Sequence, residues 1–149
     1  MKILAVLPAD RTRPGWLRLL EGTLLAFTAR CLGKADNGRA LARGNPTRDP
    51  VLPYGDTPSG IYSPAKAIAF DPPHPRMGRH AIPLIGVSGP ALTAMTLRDQ
   101  LYIHGGRGDD RLIPTFGCLR LLDRDMAALV GELRGMRADI EIADLLTEV

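Results

Sequence analysis

Two side chains in the stretch Leu101 to Leu122, LYIHGGRGDDRLIPTFGCLRLL, can do covalent chemistry together. His104 closes a short apolar run, and Cys118 follows fourteen positions later inside Thr115-Phe116-Gly117-Cys118-Leu119-Arg120. A thiol is a useful nucleophile as thiolate, and a neighbouring imidazole is the commonest means of generating one near neutral pH. The pair predicts a cysteine acyl-transfer site. Cys118 would attack a peptide carbonyl to form a thioester, and His104 would take the thiol proton and return one to the leaving amine. The plainer alternatives are a buried structural thiol and a satisfied core or loop histidine. An active site of this kind further predicts a Cys118 of depressed pKa that outpaces Cys31 in alkylation. Cys31 lies in an alternating apolar pattern and reads as a buried free thiol rather than half of a disulfide.

Neighbouring residues supply candidate supporting roles. Gly117 and the Cys118 amide are candidates for an oxyanion hole, since N–H groups beside a nucleophile face the developing charge; a turn requirement is the alternative for the glycine. Arg120 offers a fork of donors for a substrate carboxylate, against a surface ion pair with Asp123 or Asp125. Thr115 either donates its hydroxyl to the site or shapes the turn. Asp109 and Asp110 are near His104 in sequence, but loop aspartates beside arginines are usually just solvated. Tyr62 reads as core. A zinc site from Asp71, His74, His80, His104 and Cys118 is disfavoured, because none of them has a tight ligand spacing.

The same residues carry a family resemblance. His104-Gly105, a loop, and then Thr115, Gly117, Cys118, Leu119 and Arg120 resemble the catalytic segment of L,D-transpeptidases, the YkuD-type domain that cross-links or trims bacterial peptidoglycan. That family has a His-Gly pair, a loop, and Ser/Thr-His-Gly-Cys followed by a hydrophobic residue and Arg or Asn. Phe116 stands where the family usually has its second histidine, and the loop is a few residues shorter. Upstream, Gly55-Asp56-Thr57-Pro58-Ser59-Gly60-Ile61-Tyr62 resembles the family's Thr-Pro-x-Gly-x-Tyr/Phe segment. The resemblance spans about residues 50 to 135 of a single domain, 1–149. It implies a β-sandwich-like fold and acyl transfer on peptidoglycan stem peptides, by transpeptidation, L,D-carboxypeptidase trimming or D-amino-acid exchange. It also implies a backbone carbonyl at Gly105 or Gly106 orienting His104, Arg120 on an acidic stem, and no cofactor. The contrasting reading is a non-catalytic wall-binding module on the same scaffold.

The elements that must position these residues read as mainly β. Ile3 to Leu7 is an edge strand or a disordered start. Trp16 to Leu20 and Leu24 to Cys31 alternate about Glu21-Gly22 as a hairpin. Asn37-Gly38 reads as a turn returning the chain as a third strand, Arg39 to Ala42. Four prolines between Arg43 and Pro58 fix a long connection. Ile61 to Phe70 is a strand bent at Pro64, Asp71 to Pro75 a loop, and Ala81 to Val87 a buried strand with Pro83 near an edge or bulge. A short helix falls within Ala91 to Asp99. Leu101 to Ile103 is a strand that delivers His104, and Cys118 to Leu122 continues as strand or turn. Asp123 is a plausible N-cap for a helix from about Arg124 to Gly135, with Met126, Leu129, Val130 and Leu133 on one face. Ile140 to Leu146 is a strand or a helix. The sum is a β-rich α+β domain with one or two helices.

The bulk numbers narrow the functional classes. The chain has 149 residues, 45% hydrophobic and 23% charged, as in an ordinary globular domain. A net charge of +3, with the positive residues scattered, argues against a nucleic-acid partner. No run approaches membrane-spanning length, and the apolar stretch before Pro8 is too short for a secretory signal. Because peptidoglycan lies outside the cytoplasm, that misfit leaves three readings: a leader absent from this sequence, a substrate other than the wall, or a periplasmic or envelope protein exported by a specialised secretion system that needs no cleaved signal. An antibacterial effector with an immunity protein as partner would fit.

Overall fold

The computed structural model describes residues 1–107 and 111–145. The expectations for Asp109, Asp110 and Leu146 lie outside the described residues. In chain order the elements are β1 (Lys2–Leu7), β2 (Gly15–Glu21), β3 (Leu24–Cys31), α1 (Asn37–Ala42), β4 (Gly60–Ala65), β5 (Ile68–His74) and β6 (Gly78–Leu84). There follow β7 (Gly86–Ser88), α2 (Pro90–Met95), β8 (Leu101–His104), β9 (Leu119–Arg120), α3 (Asp123–Leu133) and β10 (Ala138–Asp144). They form a six-stranded sheet of order β3-β2-β1-β10-β4-β7 and a four-stranded sheet of order β5-β6-β8-β9. The protein is mainly β with two sheets, as the alternation in the sequence leads one to expect.

Period-two alternation turns Ile3, Ala5 and Leu7 of β1, Leu17 and Leu19 of β2, and Ile140 and Ile142 of β10 to one buried face. Ile82 and Leu84 of β6, Ile103 of β8 and Leu119 of β9 come from the other sheet into the same core. Helix α3 adds Met126, Leu129 and Leu133. Each such aliphatic side chain contributes about 1.5–3 kcal/mol on burial.

Several expectations need correction. β1 is an interior strand, antiparallel to β2 and parallel to β10, so the three-stranded meander is β1-β2-β3. The return strand after Asn37-Gly38 is instead helix α1. Asp36 decides this, because its carboxylate accepts the Arg39 N–H at 2.8 Å and caps the first turn. Ile61 to Phe70 divides between the sheets, into β4 and the start of β5. Asp71 to His74 is the end of β5 rather than a loop, tolerated there because β5 is an edge strand. Pro83 lies beyond the last β5–β6 pair, Ile68 with Ala81, where no ladder bond is lost on that side. There are three helices among the described residues, two of them only six residues long. Ile140 belongs to a strand, β10, and Asp123 is the first residue of α3 with Leu122 as N-cap.

The long connection after α1 is held by its own polar residues. Asn45 donates to the carbonyls of Asp49 (3.1 Å) and Pro53 (3.2 Å) and accepts from the Asp49 N–H (2.8 Å). Buried Asp56 accepts from the Ala35 N–H (2.8 Å) and from Arg48 Nε (3.0 Å). This fixes the segment as one wall of the site.

Candidate functional site

The site grows from the register of two short strands. β8 and β9 run parallel with Ile103 opposite Leu119 and His104 opposite Arg120. Neighbouring side chains alternate faces, so burying Ile103 and Leu119 in the core sends His104, Arg120 and, two residues earlier, Tyr102 and Cys118 to the other face. Those four line one open cavity of about 790 Å³. His104 and Cys118 are therefore diagonal neighbours across the strand pair, a relation that places side chains about 7–8 Å apart at their roots.

His104 is buried and its Nδ1 lies 2.7 Å from the Gly105 carbonyl. A carbonyl oxygen only accepts, so Nδ1 carries the proton and the lone pair of the neutral ring is on Nε2. Burial is the main cause of a pKa lowered to about 4; the Gly105 carbonyl opposes it and the Arg120 charge adds to it. At neutral pH the ring is an uncharged base whose free nitrogen is Nε2.

Cys118 is half-buried and its Sγ accepts the Tyr102 N–H at 3.3 Å. Burial raises the thiol pKa, while that amide and the charges of Arg98 and Arg120 pull it down. The expected depressed pKa is thus reversed in the resting protein, because desolvation outweighs the two guanidiniums. No hydrogen bond joins the sulfur to the imidazole among the described residues. Cys31 is a free, fully buried thiol, pushed up to about 12 by burial.

The supporting residues serve mainly to hold the backbone. The Gly117 N–H donates to Thr115 Oγ1 at 3.0 Å, so it is not a free oxyanion donor. Thr115 Oγ1 in turn donates to the Cys118 carbonyl at 2.8 Å, which makes this residue the shaper of the turn. Gly117, at φ 120°, is required sterically: a Cβ there would run into the Arg98 guanidinium and the Gly55 carbonyl, 2.7 Å away. Arg120 is buried, and its Nη1 donates to the carbonyls of Gly105 (2.9 Å), Gly106 and Arg107 (3.4 Å), leaving Nε unpartnered. It is not a surface ion pair, and it lines the cavity with Nη1 engaged by backbone. It braces the His-Gly-Gly turn, and Asp123 completes the brace by accepting the Gly106 N–H. Tyr62 is core, with its hydroxyl donating to the Pro58 carbonyl at 2.6 Å.

Phe116 is an exposed wall of the cavity, in edge contact with Tyr54 at 5.9 Å between centroids. The guanidiniums of Arg39 and Arg76 lie 4.9 and 5.2 Å from its centroid. His74 also lines the cavity, its Nδ1 accepting the Arg76 and Met77 N–H groups at 3.0 and 3.1 Å. Among the described residues no group of three or more His, Cys, Asp or Glu side chains is placed to hold a metal ion, and no helix is long and apolar enough to cross a membrane.

No family model matches the sequence, and no curated protein matches it. Among solved structures the chain is similar to the one described as "Structure of Bdellovibrio bacteriovorus Bd1075", with a TM-score of 0.60 and 12% identity over 95% of this chain and 47% of that chain. At that identity the likeness shows the fold alone. This chain spans about half the length of the Bd1075 chain.

Arg98, following α2, is the residue that motif reading misses. Its guanidinium donates to the carbonyls of Pro50 (2.6 Å), Gly55 (2.9 Å), Asp56 (2.9 Å) and Phe116 (3.1 Å). It pins the long connection to the loop before Cys118. The sequence holds no signal for this, because all four partners are backbone atoms.

Proposed function

We propose that the protein is a cysteine acyltransferase of the L,D-transpeptidase kind, acting on peptidoglycan stem peptides at the cell envelope. The observation that carries the reading is the shared cavity wall. A neutral imidazole with its Nε2 lone pair free and a thiol lie diagonal to one another, and the ring is held by the Gly105 carbonyl at 2.7 Å. Sγ leaves the Tyr102 amide, gives its proton to Nε2 of His104 and attacks the scissile carbonyl. The tetrahedral intermediate collapses to a thioester as Nε2 returns the proton to the departing amine. An amine acceptor then yields a cross-link or an exchanged D-residue, and water yields carboxypeptidase trimming. In the resting protein the pair is a neutral thiol and a neutral ring rather than a stored thiolate–imidazolium pair, in keeping with the raised pKa of Cys118 and the lowered pKa of His104.

The experiment is mass spectrometry of purified muropeptides after incubation with wild type and with Cys118→Ala. Loss of a terminal residue, a new cross-link or an exchanged residue in the wild-type sample alone is the expected result. Unchanged muropeptides would refute the reading. One observation favours the non-catalytic wall-binding module instead: the sulfur rests on the Tyr102 amide rather than on the imidazole. Retention on intact sacculi with no change in muropeptides would select that alternative.

A further inference from the structure

Five arginines face the cavity, and two of them are placed differently from the rest. Arg98 and Arg120 direct their donors at backbone carbonyls, and Arg107 adjoins the undescribed residues. Arg39, from α1, and Arg76, from the β5–β6 turn, instead lie against the ring of Phe116 at 4.9 and 5.2 Å. Tyr54 backs the first of them, with its centroid 6.0 Å from the Arg39 guanidinium. An arginine on an aromatic face is held in place with its N–H edges outward, the arrangement that receives a carboxylate through two parallel bonds. Among the described residues the ion pairs involve neither Arg39 nor Arg76. Asp36, the acidic residue nearest Arg39 in sequence, is engaged as the cap of α1.

We propose that Arg39 and Arg76, gathered on Phe116, are the carboxylate-recognising pair of this cavity and select peptide substrates that carry a free carboxylate. That these peptides are substrates rests on the acyl-transfer reading above. Phe116 is two residues from Cys118 and lines the same cavity, so the pair and the thiol open onto one space. The sequence suggested this role for Arg120, whose Nη1 is engaged by backbone carbonyls.

The test uses Cys118→Ala protein, so that nothing is turned over, and fluorescence anisotropy of an N-terminally labelled tetrapeptide stem ending in a free carboxylate or in its amide. The acid should bind about tenfold more tightly than the amide. In Arg39→Met/Arg76→Met the acid should weaken to the level of the amide with the amide unchanged, and Arg39→Lys/Arg76→Lys should restore part of the difference. A matched melting temperature excludes misfolding, and the lysine variant serves if the methionine variant melts early. Equal binding of acid and amide, selectivity that survives in both variants, or no saturable binding of either peptide overturns the proposal. Turnover of both peptides alike by wild type would overturn the pair while leaving acyl transfer standing. Carboxylate-selective binding without any turnover would do the reverse.

Discussion

Lowering the pH should destabilise this protein through His104, and His104→Gln should remove that part of the loss. The folded ring has its pKa lowered to about 4, chiefly by burial, against 6.5 for a free histidine. Between those values the unfolded chain binds a proton that the folded chain refuses, so stability falls as pH drops from above 6.5 toward 4 and then levels. Linkage gives a loss of about 2 kcal/mol at pH 5 and about 3 kcal/mol at pH 4 from this one group. The measurement is urea unfolding of wild type and His104→Gln at pH 7.5, 6, 5 and 4. Carboxylates titrate in both proteins and cancel in the difference, which isolates the imidazole. A difference that stays flat across the series would refute the picture of a ring kept neutral by burial. So would a wild-type advantage over His104→Gln that grows as the pH falls.

The same ring sets an acid limb for turnover: kcat/KM should persist to about pH 4–5 and fall below it, whereas a limb near pH 6.5 would mean a solvated histidine. Arg120→Met removes a positive charge that lowers the His104 pKa, so the limb should move upward in pH. The Gly105 and Gly106 carbonyls left without a donor should cost about 1–3 kcal/mol in urea unfolding. Gly117→Ala places a methyl group against the Arg98 guanidinium at a positive φ and should lower stability by about 3 kcal/mol, with a measured change below about 0.5 kcal/mol contradicting the fit. Iodoacetamide should modify Cys118 in preference to Cys31, yet more slowly at pH 7 than a small free thiol, and faster as pH rises. Peptide mapping reads both rates, and fast reaction at pH 6 would mean a stored thiolate.

Strands that alternate cleanly were legible before any coordinates: β2, β3, β8 and the apolar stripe of α3 all follow from period two or 3.6. The cavity residues were legible for the same reason, since placing Ile103 and Leu119 inward commits His104 and Cys118 to the opposite face. Asn37-Gly38 misled because a turn dipeptide also fits the first turn of a helix once Asp36 caps it. β1 was ambiguous because its parallel partner lies about 137 residues away, beyond any local pattern. Arg120, Thr115 and Gly117 were found as site residues, but their work is to position backbone, and nothing in a side chain's identity tells whether its donors will face a ligand or a carbonyl. Arg98 and the Arg39–Phe116–Arg76 group are assembled from distant segments and were out of reach for the same reason.

The parallel pairing of residues 2–7 with 138–144 carries a consequence for synthesis. During translation the early hairpin emerges with one flank of β1 bare, a row of open donors and acceptors in the middle of what will become the larger sheet. That flank stays open until residue 144 has cleared the ribosome, several seconds later at ordinary elongation rates. The nascent chain is then vulnerable to mispairing with a second copy, so a holdase chaperone or slow expression at low temperature should raise the soluble yield more than any stabilising change in the cavity.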